Sequence, residues 1–313
     1  NVGFLYQNVD KFYVICYLCK VKISIKRVQN LRILSQIFSP PMFQKIVRED
    51  DFVLFQKQTE KYFNAGSYNT NLDIIKSLYK SLQKQYRCEY VYKNNLVLKL
   101  IKEHSLKTTL ILNELKIGAS KADLVMLNGA VRVFEIKTEL DDFSKLSKQL
   151  NDYQKFADGV SIVTDEKNAE KLKNEYADTN IGIIVLDTKN KLQTIKEAGS
   201  NTSLFDFDTI FKILRKQEYI DLVADNFAFV PDVPNTQIFR ACYELLASKN
   251  IVDFQKQVLN KLKERKLLKP DFLKSSNTPK ELKHICNSLD FNEQEYHKLY
   301  NFLATNTVCT NRI

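Results

Sequence analysis

The chain has no tryptophan and little of the glycine and proline that mark unusual architectures. Its 313 residues include 7 glycines, 6 prolines and 2 methionines. A collagen-like or linker-rich chain needs far more glycine or proline, and no segment recurs at a fixed period, as a repeat protein requires. With 44% hydrophobic and 27% charged residues, the composition is that of a folded protein. The length allows one large domain with additions, or two domains.

Long apolar runs are also missing from the sequence. The apolar run at residues 12–18 is far shorter than the ~20 residues that span a membrane, and no small-residue cleavage site follows it. The six cysteines are dispersed, and Cys16 and Cys19 form a single CxxC without a second pair. We therefore expect a cytoplasmic protein with reduced thiols, no zinc site and no membrane partner.

Positive charge is concentrated in the first third of the chain. The formal net charge is +10, and residues 1–105 carry 17 Lys or Arg against 8 Asp or Glu, whereas residues 106–200 carry 14 against 15. Such an excess can contact the phosphates of a nucleic acid. A lysine-rich solvated surface explains it equally well, so both interpretations stay open.

Charged residues occur near the ends of strands predicted between residues 114 and 153. The second of these three strands is apolar except for Asp123, and the third, rich in β-branched and aromatic residues, ends with Glu135 and Lys137. Buried strands seldom carry such residues without a partner, because an unpaired buried charge is very costly. A cation that takes oxygen ligands would be such a partner.

The loop between the second and third strands determines whether these charged groups meet. Side chains alternate along a strand, so Glu135 and Lys137 share one face. Asp123 joins that face only if the loop around Asn128 and Gly129 has an odd number of residues, or if a bulge shifts the register. A strict two-residue turn would place Asp123 opposite Phe134 instead.

A second turn brings in another carboxylate. Gly118 and Ala119 fit a two-residue type II′ turn, which has glycine in its first position. This register places Glu114 directly opposite Asp123. We therefore predict that Glu114 joins the other charged groups in one patch across three strands.

These residues resemble the split D…ExK signature of the PD-(D/E)XK nuclease superfamily. Asp123 is followed, after eleven residues, by Glu135, Ile136 and Lys137. The resemblance implies that the two carboxylates and the backbone carbonyl of Ile136 bind Mg²⁺ or Mn²⁺, and that Lys137 positions or helps to deprotonate a water molecule. The reaction implied is hydrolysis of phosphodiester bonds, with DNA preferred over RNA as substrate.

Two further motifs are similar to those of the RecB-like branch of this superfamily. Gly118 with Asp123 matches GxxxxD, and Gln149 with Tyr153 matches QxxxY on the following helix. The resemblance gives Gln149 and Tyr153 the role of orienting the substrate or the lysine. The wider stretch, residues 86–187, resembles a bacterial family of PD-(D/E)XK-like proteins that is met near phages and mobile elements.

The third acidic ligand has two candidates, Glu114 and Glu89. Nucleases of the type resembled often carry a glutamate on the helix before the sheet, where Glu89 lies, although the helix dipole alone favours an acidic residue there. We favour Glu114. Two other classes of function stay open: a catalytically inactive scaffold that binds nucleic acid or a protein partner, and a regulator in which Glu135 and Lys137 form only an ion pair.

The resulting fold prediction is α/β, with a mixed central sheet flanked by helices like a restriction-endonuclease core. We predict a basic helical region at residues 1–85, the core at 86–200, and a helical bundle at 201–313 for recognition of a target or partner. The helix carrying Gln149 is predicted to begin at Asp141 or Asp142 and to run to about Ala157. The three histidines, including His284, are expected to be partly exposed helix residues.

Overall fold

The computed structural model describes residues 29–60 and 69–306. The described residues divide into two compact units, one that contains residues 29–60, 69–88 and 297–306 and one of residues 89–296. The apolar run at 12–18 and the pair Cys16 and Cys19 lie outside the described residues. No helix among the described residues has the length and apolar character needed to cross a membrane.

The secondary structure alternates as an α/β sequence pattern predicts. The strands are β1 (Leu110–Ile117), β2 (Ser120–Leu127), β3 (Val131–Lys137), β4 (Gly159–Asp165), β5 (Ile181–Leu186) and β6 (Leu192–Lys196). The helices are α1 (29–35), α2 (Pro40–Arg48), α3 (Val53–Glu60), α4 (Asn71–Gln85), α5 (Glu89–Glu103), α6 (Leu146–Gln154), α7 (Glu166–Glu175), α8 (Phe207–Phe211), α9 (Lys216–Phe227), α10 (Ile238–Leu246), α11 (Ile251–Lys263), α12 (Pro270–Lys274), α13 (Lys283–Leu289) and α14 (Glu293–Ala304).

Helices of the first unit begin at clear sequence signals. Two prolines open α2, where the fixed φ of proline suits the first turn. A capping box opens α4: Thr70 Oγ1 accepts from the Asp73 backbone N–H, and Asp73 Oδ2 accepts from the Thr70 N–H. This reciprocal pairing satisfies two donors that a helix start leaves free. The helices predicted for this region are thus confirmed in its described part.

The six strands form one mixed sheet in the order β1-β2-β3-β4-β5-β6. Neighbours are antiparallel from β1 to β3 and parallel from β3 to β5, and β6 is an antiparallel edge strand. Helix α6 packs against β2 and β4, and α5 packs against β3. The predicted mixed sheet flanked by helices is therefore confirmed.

The two hairpins have the lengths on which the predicted patch depends. β2 and β3 pair from Leu124 opposite Phe134 to Leu127 opposite Val131, so the loop contains three residues, with Gly129 at φ +69°. This odd loop meets the condition set by the sequence, because it brings Asp123 opposite Glu135 when the register is extended by one residue. In the β1–β2 hairpin the two-residue turn at Gly118 (φ +60°) is also confirmed.

Helix α6 begins several residues later than predicted. Asp141 accepts from the backbone N–H of Thr138 at 2.8 Å, and Asp142 accepts from that of Ser144 at 3.0 Å. Both carboxylates therefore organise the loop after β3 and do not cap the helix, since short acidic side chains bind nearby backbone groups in turns as readily as at helix starts.

Helices α8 to α13 belong to the same unit as the sheet. Apolar residues of α8 to α11 share one core with the sheet and α6. Gln255 Nε2 on α11 donates to the Phe156 carbonyl at 3.1 Å, and Asn287 Nδ2 on α13 donates to the Ile111 carbonyl at 3.1 Å. Apolar periodicity predicted the helices but could not reveal that their buried faces pack against the sheet.

Candidate active site

The candidate residues meet near the C-terminal end of β3, an inner strand of the sheet. Asp123 is on β2, Glu135 and Lys137 are on β3, and Gln149 and Tyr153 are on α6. The last two are four residues apart and therefore face the same side of their helix. The structure brings all five side chains of the D…ExK and QxxxY patterns into one cluster.

Asp123 occupies the point where β2 and β3 separate. Beyond the Leu124–Phe134 pair, the Asp123 carboxylate accepts the hydrogen bond of the next free strand amide: Ile136 N donates to Asp123 Oδ2 at 2.8 Å. Its other oxygen, Oδ1, lies 3.0 Å from the ammonium nitrogen of Lys93. Both carboxylate oxygens thus have a donor within the protein.

Glu135 is the most deeply buried acidic group of the cluster, with 2% of its surface exposed. Gln149 Nε2 donates to its Oε1 at 2.6 Å, and Lys137 Nζ lies 3.3 Å from the same oxygen. The Tyr153 hydroxyl lies 2.9 Å from Oε2. Three neighbours therefore fix the orientation of this carboxylate.

The pKa of Glu135 is raised from 4.5 to about 7. Burial is the largest cause, and the negative charge of Asp123 is the second. Lys137 and the Tyr153 hydrogen bond oppose the shift but do not cancel it. Both causes disfavour the charged form. Glu135 is therefore only partly ionised at neutral pH. A positive charge added beside it would favour its ionised form.

Tyr153 acts as a hydrogen-bond donor in this cluster. Burial, and then the neighbouring Glu135, raise the pKa of its hydroxyl above the usual value, so it stays protonated at neutral pH. The hydroxyl also lies 2.9 Å from the backbone carbonyl oxygen of Lys121 on β2. Tyr153 therefore links the helix to the strand that carries Asp123, in addition to holding Glu135.

Lys93 is a site residue that the sequence interpretation missed. It projects from the first turns of α5 and pairs with Glu89 and Asp123, and it is 8% exposed. Burial alone would lower the pKa of Lys93, but the charges of Asp123 and Glu89 outweigh burial and raise it. The spacing of Glu89 and Lys93, four residues apart on a helix, was the only signal of this pair in the sequence.

The two candidates for a third acidic residue have different surroundings. The flanking pairs, Asn113 with Leu124 and Leu115 with Ala122, place Glu114 across from Asp123, but the two do not form a strand pair, and the backbone of Glu114 is left-handed (φ +56°). Its exposed carboxylate pairs with Lys121, and that hydrogen bond is the main cause that lowers the pKa of Glu114. Glu89 is connected to Asp123 through Lys93. Of the two candidates, Glu89 is therefore the one that is linked to the cluster, and the choice of the third ligand stays a prediction.

His284 is buried, which corrects the expectation that it is partly exposed. It lies on α13 and its Nδ1 atom has no hydrogen-bond partner in the described part of the chain. Burial, and then the charge of Lys93, lower the pKa of His284 to about 3, so the imidazole is neutral. A C-terminal helix therefore contributes to the surroundings of Lys93.

The donor set fits a single hard cation. Among the described residues, no three or more His, Cys, Asp or Glu side chains are grouped as metal ligands. Mg²⁺ needs fewer, since it keeps several waters and is usually held by one or two carboxylates. Asp123 and Glu135 supply two, and Gln149 Oε1 is a buried oxygen without a hydrogen-bond partner in the described residues. The carbonyl of Ile136 stays a predicted ligand.

A sizeable cavity lies away from the acidic cluster. A space of about 850 Å³ adjoins the side of α6 that carries Lys148, Asn151 and Gln154, and it is also lined by Tyr176. None of its lining residues belongs to the acidic cluster. Large pockets are the usual candidates for binding sites, but the paired buried charges and the shifted pKa of Glu135 mark the other location.

Comparison with known proteins places the chain in a phage family. Residues 82–286 match the family model of bacteriophage P4 protein cII. The chain belongs to this family. The matched range contains every residue of the acidic cluster. The association with phages predicted from the sequence is thereby confirmed, whereas the resemblance to PD-(D/E)XK nucleases stays a prediction.

Two individual proteins show the extent of the similarity. Protein cII of Enterobacteria phage P4 is 26% identical over 172 residues, which are 53% of this chain and 63% of that protein. The chain thus matches less than two thirds of the length of this relative. A structural match to the SPO1766 protein of unknown function from Silicibacter pomeroyi covers 44% of this chain and 90% of that protein. The sequence identity is 14% and the TM-score is 0.29.

Proposed function

We propose that the chain is a divalent-cation-dependent nuclease that hydrolyses phosphodiester bonds of DNA. The observation that carries this proposal is the buried carboxylate of Glu135, held by Gln149 and Tyr153 between Lys137 and the charge of Asp123. Perturbed pKa values cluster at functional sites, so a buried carboxylate with a raised pKa and a charged partner is a candidate functional group. Mg²⁺ or Mn²⁺ is the cation that suits its oxygen donors.

Each residue has a role that follows from its contacts. Asp123 and Glu135 hold the cation, and Gln149 and Tyr153 keep Glu135 in the ligating orientation. The Lys137 ammonium, 12% exposed on its side chain, is placed to hold a water molecule and to neutralise charge that develops on the phosphate. When bound, the cation supplies Lewis-acid stabilisation of the phosphate and lowers the pKa of a water molecule.

The substrate is assigned from charge. A polyanion is favoured by the net charge of +10 and by the excess of Lys and Arg in residues 1–105. The site requires no covalent nucleophile, because water activated at a cation and a lysine is sufficient for phosphodiester hydrolysis. DNA is preferred over RNA on the basis of the nuclease resemblance.

The test is a cleavage assay on plasmid and linear DNA with Mg²⁺ and with EDTA. The wild-type chain should cut only with Mg²⁺, and Glu135→Gln, which keeps the size of the side chain, should reduce cutting to background. Glu244→Gln is the matched control, because Glu244 is exposed and pairs with Arg240 on its own helix; it should cut like the wild type. Cutting by Glu135→Gln at the wild-type rate would refute the proposal.

A second candidate function is binding of nucleic acid or a protein partner without catalysis. It is favoured by the fact that all four carboxylate oxygens of Asp123 and Glu135 already have donors within the protein. Such a network is complete without a cation. DNA that is bound with a steep salt dependence but never cut, under any divalent cation, would support this candidate.

A further inference from the structure

The position of Lys93 suggests how many divalent cations the site accepts. Its ammonium nitrogen lies 3.0 Å from Asp123 Oδ1 and also pairs with Glu89. Lys137, in contrast, pairs with Glu135 from the same strand. Each of the two central carboxylates therefore has its own lysine, and the lysines come from different elements, α5 and β3.

Lys93 is fixed in place by the packing of its helix. The Asn94 side chain accepts from the backbone N–H of His284 at 2.9 Å and donates to the Lys280 carbonyl at 2.8 Å. The Tyr90 hydroxyl donates to the Glu281 carbonyl at 2.6 Å. These bonds tie α5 to the segment around α13, so the base of the Lys93 side chain cannot withdraw without breaking buried hydrogen bonds, which is costly.

The charge balance limits the number of added cations. Three carboxylates (Glu89, Asp123 and Glu135) and two ammonium groups (Lys93 and Lys137) leave one net negative charge when all are ionised. One divalent cation would bring the cluster to one net positive charge, and two would bring it to three. Like charges crowded in a partly buried site repel strongly, because solvent screens them little.

We propose, on the basis of the proposed function, that Lys93 takes the place of a second metal ion, so that the site binds one divalent cation. The ammonium group occupies a cation position between Asp123 and Glu89, where it permanently supplies positive charge. Asp123 and Glu135 would then hold the single metal ion. Lys93 thereby acts as a positioning and charge-balancing residue.

Titration of the full chain with Mn²⁺ tests this assignment. Isothermal calorimetry together with electron paramagnetic resonance counts the bound ions, and Asp123→Asn provides the baseline for ions that bind elsewhere. We expect one Asp123-dependent Mn²⁺ in the wild type and two in Lys93→Met, because the methionine frees Asp123 Oδ1 and Glu89 as ligands. Lys93→Arg retains the positive charge and should bind one.

Lys121→Met is the matched control, since Lys121 pairs with the exposed Glu114 outside the cluster; it should bind one ion. Circular dichroism confirms that each variant is folded. A count of two in the wild type, or of one or none in folded Lys93→Met, would overturn the proposal. A single ion that only binds tighter in Lys93→Met would also overturn it, because Lys93 would then compete for the first position.

The ion count and the proposed function can fail separately. If the wild type binds one Mn²⁺ and Lys93→Met binds two, but neither cleaves DNA, the role of Lys93 is retained and the nuclease function is refuted. Cleavage by the wild type together with equal counts in wild type and Lys93→Met would retain the nuclease and refute the role of Lys93.

Discussion

Replacing Glu135 by glutamine should change how the stability of the metal-free protein depends on pH. Glutamine has nearly the same shape, and its single side-chain oxygen can still accept one of the two hydrogen bonds that Gln149 and Tyr153 donate to separate oxygens of Glu135. It cannot ionise. The substitution therefore removes the cost of a buried negative charge next to Asp123 while it preserves most of the packing.

The size of the effect follows from the pKa shift. The ordinary pKa of a glutamate is 4.5 and that of Glu135 in the folded chain is about 7, so between these values the folded protein binds more protons than the unfolded one. Stability contributed by this group is then complete below pH 4.5 and decreases as the pH rises toward 7. A shift of this size corresponds to roughly 3 kcal/mol, at about 1.4 kcal/mol per pKa unit.

The assay is urea unfolding in EDTA at pH 5 and pH 8, with the wild type and Glu135→Gln compared at each pH. The variant should gain stability relative to the wild type by roughly 2–3 kcal/mol more at pH 8 than at pH 5. The difference between the two pH values is the relevant quantity, because any packing change cancels in it. A difference near zero would refute the inference that burial and Asp123 raise the pKa of Glu135.

Three further predictions follow from particular positions. Glu89→Gln should reduce DNA cleavage more than Glu114→Gln, measured as initial rates; the reverse order would restore the preference drawn from the sequence. Gly118→Ala should lower the melting temperature more than Gly129→Ala. Both glycines have positive φ, which costs a non-glycine residue about 1 kcal/mol. At Gly118 an added methyl group would also crowd the carboxylate of Asp152, whereas at Gly129 it would meet no neighbouring atom. Neutralising Lys and Arg within residues 31–102 should weaken DNA binding measured by fluorescence anisotropy, and wild-type binding should fall steeply with salt; unchanged binding would favour the solvated-surface interpretation.

Register was the part of the site that the sequence could predict. Strand alternation is strict, so the positions of Asp123 and Glu135 limited the loop between them to an odd number of residues, and the structure has three. The same reasoning placed Glu114 opposite Asp123. It could not predict the left-handed backbone at Glu114, because nothing in the local sequence distinguishes that residue from an ordinary strand residue.

Contacts that depend on packing between distant elements were beyond sequence reasoning. Lys93 precedes Asp123 by thirty positions, and only the packing of α5 against β3 brings them together. The late start of α6 had a different cause. Acidic residues suit both helix starts and turns, and here Asp141 binds the backbone of Thr138, so the turn forms where a cap was predicted.

The helices after residue 200 contribute to the site even though they supply none of the five residues of the D…ExK and QxxxY patterns. Helix α5 carries Lys93 and Glu89, and its hydrogen bonds at Tyr90 and Asn94 are made to residues 280–284. A chain cut after residue 200 would lose these three hydrogen bonds, which help to hold α5 in its place beside β3. The family match, residues 82–286, spans the segments on both sides of these hydrogen bonds. Residues 280–284, and not the sheet segment alone, therefore contribute to holding Lys93 against Asp123.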